Sequence, residues 1–382
     1  MNNVEKIIWM SANSYPQIGG IQTYNIAMVS ELAKDNQVIF ITDKNLSLPD
    51  IKNITIINIE GLGGYRNKIK NDQVRFKLKS LIEQIKPILV HFGDAGMAIY
   101  SDLIPKKILL IATIHGNDFT SPWQLNHCSN IVERIISGLN RCNSVIAVSN
   151  HTKKLANYYK IKVPIHVIYH SYDFSKWRVK FNIDKDVIKD RYNIPKDRPI
   201  ILTVGRLAKR KGHLIVLKAL SKFKKPFYWI IVGQGEMSRI IKLNLLLKRM
   251  KSKVSMMGWV NESKLRMLYN ICDIFVLTPI EIRHKNHIDS EGFGLVFNEA
   301  ASCGKPIITS RISGCQEAVI NNSTGILVEA GNVEEVFTAI SRLLEDTSLS
   351  KKLGVQAYRR VLKNNKKNSS VKQIKKIYKE LL

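Results

Sequence analysis

The chain has few acidic residues, few cysteines and no long apolar run. Its 382 residues include 31 Asp and Glu against 59 Lys and Arg, which gives a formal net charge of +28 at pH 7. The five cysteines are scattered without CxxC spacing, so they indicate reduced thiols and argue against a disulfide framework or a zinc site. No segment reaches the roughly 18 consecutive apolar residues of a membrane-spanning helix. The first residues do not resemble a signal peptide, so we expect a cytoplasmic protein.

The excess of positive charge predicts an anionic partner of one of three classes: a nucleic acid, an acidic membrane surface or a phosphorylated substrate. A lysine-rich, solvated surface with no specific partner accounts for the same charge equally well. RNA-recognition, helix-turn-helix and zinc-finger patterns are all missing from the sequence, and aromatic residues do not interleave with the basic runs. We therefore expect no nucleic-acid partner.

Short β-branched apolar runs alternate with longer amphipathic stretches, which is typical of βαβ units on a parallel sheet. Such runs occur throughout residues 6–171 and again throughout 199–329, whereas the charged stretch 172–198 indicates only one short helix. The pattern predicts an α/β fold with two doubly wound, Rossmann-like domains. We expect ligands at the carboxyl ends of the strands, in a central cleft between the domains.

The domain limits follow from these breaks in the pattern. We predict an N-terminal Rossmann-like domain over residues 1–180, a linker over 181–198, a C-terminal Rossmann-like domain over 199–364 and a terminal helix over 365–382. The terminal segment is basic and amphipathic. It is expected to pack back on the first domain, and the alternative is that it lies on a membrane surface.

Two strand-to-helix connections carry glycine or positive charge. In "MSANSYPQIGGIQTY", Gly19 and Gly20 permit a tight turn before a helix N-terminus, which favours negative charge. The segment is not GxGxxG, so a dinucleotide fingerprint is missing. In "VGRLAKRKG", residues 204–212, Arg206 ends a strand and Lys211 precedes a helix, so together they can neutralise a diphosphate. The alternative is a pair of solvated surface cations.

The segment "SEGFGLVFNEA", residues 290–300, places two glutamates around a Gly-Phe-Gly turn. The amides of Gly294 and Leu295 can point at a phosphate from the N-terminus of the following helix. Glu291 and Glu299 flank the same position, and ionised carboxylates accept hydrogen bonds from sugar and ribose hydroxyls. A phosphate between two sets of hydroxyls is the outline of a nucleotide sugar. The alternative, a helix with solvated glutamates, fits Glu299 poorly because its neighbours are apolar.

Histidines provide two further candidates. His115, in "TIHGND", follows a strand in the first half, where a histidine is either structural or placed at a ligand site. The pair His284 and His287, in "RHKNH", lacks a third ligand with suitable spacing, so we predict no metal site.

The segments "GRLAKRKG", "VGQGE" and "SEGFGLVFNEAASCGKPIITSRISGCQEAV" resemble the second domain of retaining family-four glycosyltransferases, which have the GT-B fold. The E-x7-E motif of that family matches Glu291 and Glu299. The loop "TPIEIRHKNHIDSEGFG" resembles the branch that contains the phosphatidylinositol mannoside mannosyltransferases. The resemblance covers essentially the whole chain and is looser in the first half. It implies that residues 1–180 form the acceptor domain and residues 199–364 the donor domain. It departs from the family at His170–Asp173, where many members have Asn-Gly-Val-Asp.

The resemblance implies a catalytic group of four residues. Arg206 and Lys211 would bind the donor diphosphate and stabilise it as it leaves. Glu291 would hold the hydroxyls of the transferred sugar, and His115 would lie beside that sugar. Glu299, which also binds the donor, would hold the ribose hydroxyls.

The resemblance also implies contacts made by the backbone. Gly294 and Leu295 would supply amides to the phosphate, and Val260 would meet the base of the nucleotide. Gly20 would let the first domain close on the phosphate region. Asp118 is the weaker candidate, for the acceptor.

These features lead us to expect a metal-independent, retaining glycosyltransferase of the hexosyltransferase type, with a UDP- or GDP-type donor and no cofactor. The expected acceptor is a glycan or a lipid-linked molecule in the synthesis of bacterial surface polysaccharide or lipopolysaccharide. The basic surface suits the inner face of the cytoplasmic membrane. The alternatives are a nucleotide-sugar epimerase of the same fold and a donor-binding protein without activity.

Overall fold

The computed structural model describes residues 6–12, 19–43, 51–63, 68–120, 129–170, 177, 184–284, 287–367 and 370–382. The chain forms two compact units. Unit 1 comprises Met1–Tyr172, Arg283–Gly292 and Asn368–Leu382, and unit 2 comprises Asp173–Ile282 and Phe293–Lys367.

Strands and helices alternate along both units. The strands are β1 (Lys6–Ser11), β2 (Gln37–Thr42), β3 (Ile54–Asn58), β4 (Leu89–Phe92), β5 (Leu109–Ile114), β6 (Ser144–Ala147), β7 (Ile165–Val167), β8 (Ile200–Val204), β9 (Tyr228–Val232), β10 (Val254–Gly258), β11 (Ile274–Val276), β12 (Ile282–Arg283), β13 (Ile288–Asp289), β14 (Ile307–Ser310) and β15 (Ile326–Val328). The helices are α1 (Gly20–Leu32), α2 (Lys68–Ile85), α3 (Asn117–Thr120), α4 (Ser129–Leu139), α5 (Asn150–Tyr158), α6 (Lys185–Arg191), α7 (His213–Leu220), α8 (Ser238–Leu247), α9 (Glu262–Ile271), α10 (Leu295–Ser302), α11 (Cys315–Ala318), α12 (Val333–Glu345), α13 (Thr347–Lys367) and α14 (Ser370–Leu381). Short 3₁₀ segments cover Ala95–Leu103, Lys209–Lys211 and Lys251–Lys253.

Unit 1 is built on a parallel sheet with the strand order β3-β2-β1-β4-β5-β6-β7. The central strands β4, β5 and β6 are buried along their whole length, as expected when helices cover both faces of a sheet. The order reverses between β1 and β4. The loops that follow these two strands therefore lie at the switch point, where doubly wound sheets bind ligands.

The terminal helix α14 belongs to the core of unit 1. Its residues Ile374 and Tyr378 are buried in one cluster with Trp9 of β1 and Met28 of α1. The hydroxyl of Tyr378 also lies 2.6 Å from Nδ1 of the buried His91. These contacts confirm that the C-terminal helix packs back on the first domain.

Unit 2 repeats the architecture with the strand order β10-β9-β8-β11-β14-β15, in parallel. Its sequence order reverses between β8 and β11, so the loops after those strands lie at a second switch point. Helices α7 and α12 pack over the sheet through buried residues such as Leu217 and Ile340. Two doubly wound α/β units confirm the fold class expected from the sequence.

Strands end earlier than the apolar runs suggested. The run 227–235, for example, yields only Tyr228–Val232. The next residue, Gly233, has a φ of +140°, and a Cβ atom there would lie 2.0 Å from the carbonyl oxygen of Gly205. This close approach of two backbones, which only glycine permits, ends the strand and turns the chain into the loop.

Among the helices of the described residues, none combines the length and the apolar character that crossing a membrane requires.

Candidate functional site

Two cations follow strand β8 of unit 2 and differ sharply in exposure. The side chain of Arg206 is 72% exposed, and its Nη2 atom lies 3.5 Å from Oε2 of Glu236. Such an exposed pair contributes about 0–1 kcal/mol, so Arg206 can exchange this partner for a phosphate at little cost. Lys211 is only 8% exposed. The turn therefore holds one exposed cation and one buried cation.

The turn that carries Lys211 is anchored on the loop after β11. Gly212 has a φ of +72°, and a Cβ atom there would lie 1.8 Å from the carbonyl oxygen of Thr278. The amide of Ile280 donates to the carbonyl oxygen of Arg210 at 2.7 Å. A residue other than glycine at position 212 would displace the turn, and Lys211 would move with it.

Helix α10 begins at Leu295, directly after Gly294, which has a φ of +86°. As the N-cap residue, Gly294 has no side chain to cap this end of the helix, and the first turn contains no acidic residue. The amide of Phe297 donates to the carbonyl oxygen of Gly294 at 3.0 Å, and the other N–H groups of a first turn lack intrahelical partners and carry positive partial charge. A Cβ atom on Gly294 would lie 2.4 Å from the ring of Phe297, so glycine is required here for space as well as for φ. This helix end can receive an anion.

Glu299 lies in the second turn of α10 and is 8% exposed. The hydroxyl of Tyr269 donates to its Oε2 atom at 2.8 Å. Burial raises the pKa of Glu299 to about 7, the hydrogen bond from Tyr269 opposes this shift, and Glu262 adds to it. The carboxyl group therefore gains or loses a proton near neutral pH, and only the ionised form accepts hydrogen bonds with both oxygens.

Val260 follows β10, at the carboxyl edge of the same sheet. It is buried and precedes Asn261, whose side chain caps α9 by accepting from the amide of Lys264 at 2.9 Å. The cap fixes the backbone next to Val260. Its expected contact with a base stays a prediction.

In unit 1, His115 follows β5 and is buried. Its Nε2–H group donates to the carbonyl oxygen of Gly93 at 3.0 Å, because a carbonyl oxygen can only accept. Burial lowers the pKa of His115 to about 4, although the bond to Gly93 and the charge of Asp94 act in the other direction. The imidazole is therefore neutral at pH 7, and its Nδ1 atom is an acceptor for a hydroxyl.

Asp118 holds the backbone around His115. Its Oδ1 accepts from the amide of His115 at 2.8 Å, and its Oδ2 accepts from the amide of Ala95 at 3.0 Å. Burial of the carboxyl group raises its pKa to about 6, and the backbone hydrogen bonds partly offset this effect. The structure thus gives Asp118 a positioning role, and contact with an acceptor stays a prediction.

The segment that contains Glu291 belongs to unit 1 and contacts the loop of His115. A Cβ atom on Gly292 would lie 2.0 Å from the carbonyl oxygen of His115, so only glycine permits this approach. The hydroxyl of Ser149 donates to the carbonyl oxygen of Gly292 at 2.6 Å. Glu291 precedes this anchor and is 8% exposed. The structure therefore brings Glu291 and His115, which are far apart in sequence, into adjoining loops.

A buried polar network at the switch point of unit 1 was not anticipated from the sequence. The indole of Trp9 donates to Asn25 at 2.9 Å, Asn25 donates to Ser11 at 2.7 Å, and Ser11 donates to Asp94 at 2.5 Å. The network ties β1 to α1 and to the loop after β4. The sequence feature that could have indicated the network is a polar residue at or just after the end of each apolar run. These residues are Ser11, after "KIIWM", and Asp94, after "LVHFG".

His170, where the sequence departs from the family pattern, packs against His115. The two rings are stacked with centroids 5.4 Å apart, and Tyr24 meets both of them edge-on. Burial lowers the pKa of His170 well below its usual range, and His115 adds to that effect. Ser171–Asp173, the rest of that motif, lie outside the described residues.

Gly20 is the first residue of α1, and the N-cap residue of that helix, Gly19, has no side chain to cap it. Residues 13–18 lie outside the described part of the chain, so the expected approach of this turn to a phosphate stays a prediction. The predicted linker is described only from residue 184, where α6 begins after Asp184.

His284 and His287 stack on each other with ring centroids 3.9 Å apart. Within the described ranges, no group of three or more His, Cys, Asp or Glu side chains is placed to hold a metal ion.

Comparisons with known proteins agree across both units. The family model "Glycosyltransferase Family 4" matches residues 18–176, and "Glycosyl transferases group 1" matches 184–360. An uncharacterised glycosyltransferase of Methanocaldococcus jannaschii is 30% identical over 300 residues, which cover 74% of this chain and 71% of the relative. The GDP-mannose-dependent alpha-(1-6)-phosphatidylinositol monomannoside mannosyltransferase of Mycolicibacterium smegmatis is 24% identical over 357 residues, 89% of each chain.

A solved structure extends this likeness to the fold. The crystal structure of Anabaena HepE in complex with UDP and glucose matches with a TM-score of 0.78 and covers 99% of both chains. The sequence identity is 18%, so this match shows the fold alone.

Proposed function

Because the chain belongs to the family-four glycosyltransferases with the GT-B fold, and resembles the phosphatidylinositol mannoside mannosyltransferases, we propose that it transfers a hexose from a UDP- or GDP-linked donor. We further propose that transfer retains the anomeric configuration and needs no metal ion. The proposal assigns the donor nucleotide to unit 2 and contact with the transferred sugar to unit 1.

The observation that carries this proposal is the placement of Lys211 in unit 2. A cation with 8% exposure lies in the turn after β8, at the switch point of a doubly wound sheet. Neighbouring parallel strands place their following loops at the same sheet edge. Helix α10 lies between β11 and β14 in the chain, and in a doubly wound sheet such a crossover helix begins at that edge. A buried cation, the exposed Arg206 and a helix end whose N-cap residue is glycine together suit a diphosphate.

The hydroxyl-binding groups are proposed to complete the donor site. The ionised Glu299 would accept hydrogen bonds from the two ribose hydroxyls, and Val260 would meet the base through its backbone. In unit 1, Glu291 and the unprotonated Nδ1 atom of His115 would accept from hydroxyls of the transferred sugar. Tyr269 and Gly93 orient these acceptors through the hydrogen bonds described above.

The proposed reaction breaks the bond between the anomeric carbon and the leaving phosphate oxygen and forms a bond to the acceptor hydroxyl oxygen on the same face. The acceptor's proton passes to the leaving phosphate. Charge grows on the diphosphate as it leaves, and Arg206, Lys211 and the amides of Gly294 and Leu295 would stabilise it. Neither glutamate is assigned as a nucleophile.

The acceptor is proposed to be a glycan or a lipid-linked molecule in the synthesis of surface polysaccharide or lipopolysaccharide, at the inner face of the cytoplasmic membrane. Two observations support this assignment. The Mycolicibacterium relative is named for a phosphatidylinositol-linked acceptor, and the net charge of +28 favours an anionic surface.

A thermal-shift screen of the full chain against UDP- and GDP-linked sugars tests the proposal. A ligand at 100 times its dissociation constant stabilises the folded state by about 2.7 kcal/mol, which raises the melting temperature by several degrees. Lys211→Ala should abolish the shift, whereas Lys218→Ala, which removes an exposed cation from α7, should preserve it. Equal shifts in both variants would contradict the donor site.

Turnover then separates transfer from epimerisation. Transfer predicts release of nucleoside diphosphate only when an acceptor is present. Conversion of the donor into an isomeric nucleotide sugar without any acceptor would overturn transfer in favour of an epimerase.

A further inference from the structure

Helix α8 carries large apolar side chains on two opposite sides. One side packs into the core of unit 2 through Ile241 and Leu245. The other side is open to solvent. Its apolar residues, with the exposed fraction of each, are Ile240 (46%), Leu243 (55%), Leu246 (62%) and Leu247 (71%).

The exposed residues form one continuous stripe. At about 100° per residue, they fall within an arc of roughly 120° whose middle lies about 180° from the buried pair Ile241 and Leu245. A helix that buries one stripe in a core normally has polar residues on its opposite side. On α8, that side is instead the most apolar part of the helix surface, and it points directly away from the core.

The segment that carries this stripe is rich in basic residues and contains no acidic residue. No acidic residue occurs between Glu236 and Glu262. The exposed basic residues on the helix and just beyond its end are Arg239, Lys242, Lys248, Arg249 and Lys251.

Single exposed apolar residues are ordinary on protein surfaces, but a continuous apolar patch bordered by polar residues marks an interaction site. The charge decides between possible occupants. In a symmetric pair of two copies of this chain, the same basic residues would face each other, and like charges across an interface disfavour association. An apolar stripe with flanking lysines and arginines is instead the pattern of helices that lie at an anionic lipid surface.

We propose that this α8 face, defined as the four exposed apolar residues and the five exposed basic residues named above, docks unit 2 on an anionic lipid bilayer. The apolar side chains enter the boundary between headgroups and acyl chains, and the long basic side chains reach the phosphates. The inference rests on the proposed function in one respect, the location of the protein at a membrane, and it names the surface that binds there. The proposal of sugar transfer does not depend on this surface.

The terminal helix α14 does not provide this surface. Its apolar residues, among them Ile374 and Ile377, are buried in the core of unit 1. The amphipathic pattern that made residues 365–382 a membrane candidate is therefore used for packing inside the protein. On α8, the core uses one apolar side and leaves the other open.

Co-sedimentation of the full chain with lipid vesicles tests the proposal. Wild-type protein should bind vesicles of 70% phosphatidylcholine and 30% phosphatidylglycerol at least tenfold more tightly than vesicles of phosphatidylcholine alone. Leu246→Ser combined with Leu247→Ser should weaken binding to the anionic vesicles at least tenfold, because it removes the two most exposed apolar side chains of the face. Phe76→Ser, which removes a side chain that is 77% exposed in unit 1, is the matched control and should leave binding unchanged.

The donor-induced thermal shift of each variant serves as the test of folding and keeps the two proposals separate. Unchanged binding of the double variant to anionic vesicles would overturn the α8 face while leaving the donor site intact. The proposal would also be overturned if the wild-type chain associates with itself without vesicles and the double variant does not. The α8 face would then bind a second copy of the chain.

Discussion

Lowering the pH from 8 to 6 should weaken the binding of a nucleoside diphosphate about tenfold, through Glu299. The pKa of this carboxyl group is about 7, mainly because of burial. It is therefore about nine-tenths ionised at pH 8 and about one-tenth ionised at pH 6. If only the ionised form accepts both ribose hydroxyls, the apparent affinity follows the ionised fraction.

Isothermal titration calorimetry of wild type and Glu299→Gln between pH 6 and pH 8 measures this effect. The ligand's own phosphate also titrates in this range, but its contribution is common to both proteins. The difference between their pH slopes therefore isolates the carboxyl group. The exposed Glu345→Gln, in the same unit, is the control and should match wild type. Identical pH slopes for wild type and Glu299→Gln would show that the Glu299 carboxyl group does not cause the pH dependence of binding.

Further changes address the other parts of the site. Lys211→Ala should lower kcat/KM by roughly 10²–10³, the loss typical of removing one preorganised hydrogen-bond donor. The control Lys218→Ala should keep the wild-type value, and steady-state kinetics with the preferred donor measure both. Gly292→Ala should lower kcat/KM, because a Cβ atom there meets the carbonyl oxygen of His115 at 2.0 Å. The affinity of unit 2 for nucleoside diphosphate, measured by calorimetry, should not change. Equal losses of kcat/KM and of affinity would contradict this prediction. Asp118→Asn should lower the free energy of unfolding by about 1–3 kcal/mol, because a carboxylate oxygen that accepts from a backbone amide becomes an NH2 donor. A denaturant titration that finds no change would show that these hydrogen bonds do not stabilise the fold.

The sequence was sufficient to predict the strands of the two parallel sheets, because apolar β-branched runs such as "KIIWMS" and "YWIIV" have no other stable location than the interior of a sheet. The helix that starts near Gly294 was equally predictable from its glycines. The short strands β12 and β13, in the segment "TPIEIRHKNHIDSEGFG", were not predicted. The ends of the strands could not be predicted. Strand β9, for example, ends where Gly233 meets Gly205, the residue that follows a different strand, β8.

Residues 283–292 show why part of the site could not be predicted. Local pattern assigned this segment to the second half of the chain, yet it belongs to unit 1. Its position depends on the bond from Ser149 to Gly292 and on the contact between Gly292 and His115. Neither contact leaves a trace in local periodicity, because each depends on how distant segments meet after folding.

The shifted pKa values have the same origin. Glu299 and His115 were both candidates from sequence, but their protonation states depend on burial and on partners such as Tyr269 and Gly93. A neutral imidazole with an unprotonated Nδ1 atom, and a carboxyl group that titrates near pH 7, could be derived only once those partners were in place.

The most direct test of the central claim is a crystal structure of the chain soaked with its preferred nucleoside diphosphate. We expect density for the two phosphates within hydrogen-bonding distance of Lys211, Arg206 and the first amides of α10. The ribose should lie at Glu299. Density for the nucleotide at any other place in unit 2, with this turn and helix end unoccupied, would contradict the claim.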